Sequence, residues 1–489
     1  MGVKDWRKST GRASLSHPSW HGRRKAVAIP SVMAVLMVLL VLLADCCYLY
    51  GASFRQGNRV HALTVLAVDY DGGAIGQAMS NSYHALQSQS FPTVHFHTAS
   101  EYPDPSSVER AVCKGDYWGA VYTHQGASSR LSDALGNSAQ TTYNPADTIT
   151  FIYNQVRYPA IADSMLQSNL EVLIAASRSA YYQTAGGREA LASLNTSDPF
   201  AASAYLNPIQ ASPWVISPTT QGSRVFYNTV GMVMPVLATF FSIMALNSVG
   251  TQTGFLAQAR MRDVWLFRFV VGKLYTFLGG LVVTGFTWAF HESWVVDGGK
   301  FAKTWMIIWF YMDINWQIFD TLIGTFIPVH FAPFFVLTWV LMNIASTVFP
   351  LELAAGWYRV GYALPAHEIY TLLVQVWSGC VNKTYIALPV LFSYWLLGHV
   401  LSVFSIRKRC ADAERLETIT PPAEETPYFG GETEEIEDVN SQTYELRDAG
   451  WETDATRTRE PSSSDRISIG TARERDEHKA ELDVKQTRE

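Results

Sequence analysis

Asp313, Gln317 and Asp320 stand at i, i+4 and i+7 within Thr304–Ile327, a stretch otherwise rich in Trp, Ile, Phe and Met. On a helix this spacing puts all three on one face. Carboxylates within so apolar a run are costly, and such groups face a bundle interior or a water path. Lys273, on the preceding apolar stretch, lies at a depth comparable with Asp320. An Asp320–Lys273 pair is therefore expected, because it lowers the cost of burying both. Two chemistries stay open for this face: a proton or substrate path, or polar contacts that join packed helices.

Elsewhere the residue types allow less. Asp69-Tyr70-Asp71-Gly72-Gly73 sets two acids beside a flexible turn but lacks the further ligands of a calcium loop. It reads as a strand-ending turn that caps the next helix. His95 and His97 alternate on one strand face with no third metal ligand in view, so no metal site is expected. There is no GxxxxGK(S/T) loop: Gly298-Gly299-Lys300 lacks both the upstream glycine and the following hydroxyl. A GxSxG nucleophile elbow is absent too. These patterns predict no enzyme activity, no cofactor and no nucleic-acid partner.

Five cysteines without a CxxC pair argue against zinc or thioredoxin-type chemistry. Cys113 and Cys380 fall well outside the apolar stretches. They either form a disulfide, tying an outer segment to the last outer loop, or remain two buried thiols. Cys410 directly follows Arg407-Lys408-Arg409 and is a juxtamembrane palmitoylation candidate.

These groups need a scaffold, and hydropathy supplies it. With 48% hydrophobic and 16% charged residues, the chain is too apolar for an ordinary soluble enzyme and too mixed to be membrane throughout. Six stretches approach the length needed to cross a hydrocarbon core ~30 Å thick. They are Ala26–Tyr50, Phe226–Val249, Phe269–Phe290, Thr304–Ile327, Pro333–Leu351 and Tyr385–Ile406. The first exceeds a signal-peptide core and lacks a small-residue cleavage pattern, so it reads as a retained anchor. The expected fold is an α-helical polytopic membrane protein with six transmembrane helices in a 1+5 plan and an inserted extracytoplasmic α/β domain.

Charge orients it. Basic clusters precede the first stretch, follow the last, and lie at Arg260, Arg262 and Arg268 between the second and third. Six crossings put all three on the cytosolic side, with both termini. The sequons at Asn195 and Asn382 then fall on the opposite face as glycosylation candidates. The plasma membrane is the expected location, with an endomembrane as the alternative.

Residues 1–25 form the basic cytosolic end, 26–50 the first helix, 51–225 the outer domain and 226–406 the five-helix block. Within 51–225, strands are predicted at 61–68, 93–98, 117–123 and 148–153, alternating with helices, and 186–224 reads as a connector. A re-entrant or interfacial segment is expected at 350–370, where Pro350, Gly356, Gly361 and Pro365 interrupt an aromatic run. Arg359 would then be an interfacial anchor or a contact for lipid phosphate, in an interfacial motif with Trp357, Gly361 and Pro365. Residues 407–489 form an acidic tail. From Cys410 on there are 22 acids against 10 Lys/Arg, a net of about −12, which leaves about +6 for the rest of a chain of net −6. So few aliphatics predict disorder there.

Four segments carry a family resemblance: VDYDGGAIGQAM at Val68–Met79, GDYWGAVYTHQGASSRL at Gly115–Leu131, TITFIYNQ at Thr148–Gln155 and WYRVGYALPAHEIY at Trp357–Tyr370. In these the chain resembles the fungal nitrosoguanidine-resistance membrane proteins. That family is distantly similar to the membrane subunits of type-2 ABC exporters and to the bacterial phage-infection-protein family. The resemblance implies toxicant resistance, efflux, or control of lipid and transporter behaviour, and it transfers no catalytic residues. Membrane lipids, a second copy of the chain or other membrane proteins are the implied partners.

Overall fold

The computed structural model describes residues 17–18, 23–136 and 143–419; the tail beyond 419 lies outside the described residues. Helix α1 (Arg23–Ser53) is followed by β1 (Thr64–Asp69), α2 (Ala74–Leu86), β2 (Thr93–His97), α3 (Pro105–Lys114), β3 (Gly119–Thr123), α4 (Ala127–Gly136) and β4 (Ile149–Asn154). Then come α5 (Pro159–Ile161), a π-helical turn, α6 (Ser168–Tyr181), α7 (Ala185–Ser193), α8 (Pro199–Leu206) and β5 (Ala211–Ile216). The sheet order is β2-β1-β3-β4-β5. All pairs are parallel except β3 with β4. Strands β3 and β4 are buried along their whole length, which is why they read as unbroken apolar runs rather than alternating ones.

The expected connector at 186–224 is more ordered than its composition suggested, since it holds most of α7, all of α8 and the edge strand β5. Pro213 inside β5 disguises it, yet proline is tolerated on an edge strand where no second neighbour needs its missing N–H. The Asp69–Gly73 turn also differs in detail. Asp69 accepts from the backbone N–H groups of Asp71 and Gly72, at 3.0 and 3.1 Å, while Asp71 accepts from the Ser128 N–H at 2.8 Å. The hydroxyl that caps α2 is that of Ser128, accepting from the Ile75 N–H at 3.0 Å.

The second half holds α9 (Val230–Gln252), α10 (Phe255–Gln258), α11 (Met261–Ala289), α12 (Gly298–Leu322), α13 (Ala332–Ala345), α14 (Pro365–Ser378) and α15 (Thr384–Ile419). Four described helices, α1, α9, α11 and α15, are long and apolar enough to cross a membrane. Helix α12, at 25 residues, has the length, but Lys300, Lys303, Asp313 and Asp320 set it apart in composition. The expected fifth span, Pro333–Leu351, is cut short. Helix α13 has only 14 residues, about 21 Å at 1.5 Å per residue, and cannot alone cross ~30 Å of hydrocarbon.

Helix α11 shows why these helices pack as they do. Gly272, Thr276, Gly280 and Thr284 recur every fourth residue and are buried, whereas Val270, Leu274, Leu278, Val282 and Phe286 recur likewise and are exposed. The small face meets α12 so closely that a Cβ at Gly272 would strike the Trp316 ring, and one at Gly280 the Trp309 backbone. Small-residue stripes of this kind let helices associate where no hydrophobic drive exists between them.

The 350–370 segment consists of two 3₁₀ turns, Leu351–Leu353 and Gly356–Ala363, followed by α14, which starts at Pro365. Proline suits that first helical position because its absent N–H would be unpaired there anyway. Trp357 and Arg359 are exposed, Gly361 and Pro365 buried. Gly361 admits the Leu351 side chain and Ser346 at contacts a Cβ would crowd. Tyr48 of α1 packs edge-on against Trp357 and Tyr358, with centroids 5.8 and 5.2 Å away. Thr338 on α13 donates to Asp45 of α1 at 3.1 Å.

Candidate functional site

The charged face of α12 is buried but not paired as expected. Lys273 pairs with Asp313, whose second neighbour is the Trp395 indole N–H at 2.7 Å. Asp320 instead accepts from Arg268, with Nε at 2.9 Å, and from Arg409 Nη1 at 3.2 Å. The expected Asp320–Lys273 pair does not form. In the antiparallel packing of α11 on α12, Gly272 lies against Trp316 and Gly280 against Trp309, which sets Arg268, rather than Lys273, level with Asp320. Gln317 is also buried, and its Cβ lies where a side chain on Gly398 of α15 would sit.

Arg268 and Arg409 both donate to Asn247 Oδ1, at 2.9 and 2.7 Å. Two guanidinium groups, one carboxylate and one amide thus form a cluster joining α9, α11, α12 and α15. All four residues are buried. Sequence reasoning missed Arg409 because the helix was expected to end at Ile406. Helix α15 continues to Ile419 and turns Arg409 inward. It does the same to Cys410, which packs against Val264 and Ile406. A thiol buried in this way is not presented for acylation, so the palmitoylation expectation does not fit this arrangement.

At the opposite end of these helices, a crevice of about 230 Å³ opens between the start of α9, the end of α11, the start of α12 and the end of α14. Its wall is apolar, including Val230, Met234, Val283 and Phe286, while Gln221, Thr287 and Thr304 supply polar groups. The Thr284 hydroxyl on its wall is buried without a partner. Met234, Phe286 and Phe290 are exposed at its edge, so the crevice opens sideways from the helix block.

The sheet meets the helix block at a third cluster. The Tyr370 hydroxyl of α14 donates to the Val156 carbonyl at 2.8 Å and accepts from the Tyr158 N–H at 3.0 Å. Arg157 is buried with its guanidinium 3.4 Å over the Trp118 ring. Trp118 and Arg157 share a small cavity with Glu352, His367 and Lys383. Burial pushes the Glu368 carboxyl up to about 7 and the His367 imidazole down. Two of the quoted motifs, Gly115–Leu131 through Trp118 and Trp357–Tyr370 through Tyr370, therefore meet here, at the residues directly after the third, Thr148–Gln155. No periodicity in the sequence could have signalled that convergence.

Cys113, at the end of α3, and Cys380, before α15, are joined as a disulfide with Cα atoms 4.5 Å apart. Asn195, between α7 and α8, and Asn382, before α15, are exposed on loops. His97 is held by Glu101 at 2.6 Å and by the Tyr117 hydroxyl at 3.0 Å. No group of three His, Cys, Asp or Glu among the described residues could hold a metal ion.

Apolar helices with buried ion clusters between them define an integral membrane protein. More narrowly, the chain belongs to the family described as protein of unknown function DUF3533, whose pattern matches residues 34–400. An uncharacterized endoplasmic reticulum membrane protein of Saccharomyces cerevisiae is 20% identical over 394 residues, covering 73% of this chain and 75% of the relative. No solved structure matches.

Proposed function

We propose that this protein takes amphipathic molecules, lipids or amphipathic toxicants, from the bilayer into the crevice between α9, α11, α12 and α14 and moves or redistributes them without enzymatic chemistry. The observation that carries the reading is the crevice itself: an apolar wall open toward the surrounding phase, with a few polar groups among its side chains, fits an amphipathic molecule. The resemblance to nitrosoguanidine-resistance proteins and to exporter membrane subunits supports the same direction. In this reading six segments cross the bilayer: α1, α9, α11, α12, α15 and α13 with the turns that follow it. The sheet lies on the extracytoplasmic side and both termini in the cytosol. The exposed positions of Asn195 and Asn382 are compatible with that orientation. The name of the yeast relative favours the endoplasmic reticulum as the compartment over the plasma membrane.

The test is lipid and toxicant movement in sealed vesicles containing the purified protein, using head-labelled phospholipids and a panel of amphipathic toxicants. Val230→Trp, which fills the crevice, should cut the rate at least about tenfold, a loss of roughly 1.4 kcal/mol in the binding step. A specific observation favours a second reading, a non-transporting organiser of membrane lipid or of other transporters. Asp313 and Asp320 are both engaged by cations rather than lining an open path. That reading predicts retention of labelled lipid in the crevice with no movement across the bilayer over the whole panel.

A further inference from the structure

The Arg268–Asp320–Arg409 cluster is incomplete in two ways. Two guanidinium groups, 4% and 6% exposed as residues, face one carboxylate, so the group is left with one uncompensated positive charge. Both arginines also occupy Asn247 Oδ1. That fixes the orientation of the amide and leaves its Nδ2, buried in a residue 7% exposed, as a donor without a partner. A buried surplus charge and a buried orphan donor are each costly, and each is relieved by the same thing, an anionic acceptor.

Space for one adjoins them. Arg409 and Asn247 lie on the wall of a cavity of about 790 Å³ between α9, α10, the turn from Gly324 to Val329, and α15. Leu256, Val329 and Leu416 line it with hydrocarbon, and its one acid, Asp412, is exposed. Arg260, Arg262, Arg407 and Lys408 are exposed near the same end of the helices, where they attract anions toward the mouth. An arginine pair prefers planar or tetrahedral oxyanions, which accept several N–H groups at once.

We propose that the cavity where Arg409 and Asn247 meet the apolar side chains of α10 and α15 binds a phosphate group, carried on an acyl chain that lies along the apolar wall. The site is separate from the crevice at the other end and does not depend on its role. Inorganic phosphate is the second source of the same chemistry, and the acyl-lined wall favours the lipid.

Full-length protein in nanodiscs of phosphatidylcholine, titrated with phosphatidic acid, diacylglycerol or inorganic phosphate and read by native mass spectrometry, tests this. Saturable retention of phosphatidic acid but not diacylglycerol is expected. It should weaken about tenfold in Arg409→Gln, the size of one lost charge-assisted contact. Ala413→Trp, which narrows the cavity while keeping all four residues of the ion cluster, guards against misfolding of the first variant and should weaken retention as much. Val230→Trp should leave it unchanged, so a failed crevice and a failed phosphate site give different results. Inorganic phosphate that binds and competes at similar concentration supports the phosphate site with a free ligand. The proposal is overturned if diacylglycerol binds as well as phosphatidic acid, if neither phosphate probe binds, or if Ala413→Trp binds phosphatidic acid like the wild type.

Discussion

Asp320 is the residue whose loss the helix block should tolerate least. It is the one carboxylate facing two buried arginines, and Asp320→Asn would leave both charges uncompensated. A loss of about 3–5 kcal/mol is expected, as for other buried pairs stripped of one partner, read as a lowered unfolding temperature in detergent. Asp313→Asn should cost clearly less, because the Lys273 side chain is 21% exposed and can extend toward the membrane interface. The sequence made the burial of these acids legible, since apolar flanks at helical spacing demand it. It did not make their partners legible. Which cation meets which carboxylate depends on the register of α11 on α12, and that is set by two glycines fitting against two tryptophans.

At the scale of elements, the four strands with apolar runs were readable to within two or three residues, while β5 and α14 were not. Both are elements that local signals argue against, one through Pro213 and the other through the glycines and prolines crowded ahead of it. They are justified only by what they pack on. Helix α14 brings Glu368 into a dry site, with consequences for pH. A carboxyl that holds its proton more tightly when folded favours the folded arrangement while protonated. That contribution is complete below about 4.5 and is lost as pH rises through about 7. The docking of α14 on Val156–Tyr158 should therefore loosen between these values, seen as faster hydrogen exchange at the Tyr158 N–H. Glu368→Gln should remove most of the pH dependence in that window.

For the whole molecule, glycans report orientation and the disulfide reports attachment. If the sheet faces the lumen, Asn195→Gln and Asn382→Gln should each remove one glycan, seen as single mobility steps that vanish after deglycosylation. An unchanged pattern in both variants would reverse the assigned sides. Cys113→Ser should lower stability by about 2–5 kcal/mol, as a bond closing a long loop restrains the unfolded chain; the sequence separation is 267 residues. The same loss should follow Cys380→Ser, and the double variant should match either single one.

That bond also imposes an order on synthesis. Residue 113 leaves the ribosome long before residue 380, and α9, α11, α12, α13 and α14 are made in between. The early thiol must wait, reduced or provisionally paired with an oxidoreductase, until nearly the last helix has been inserted. A chain halted anywhere before Cys380 should therefore expose a reactive sulfhydryl, giving cellular quality control a chemical mark of unfinished assembly.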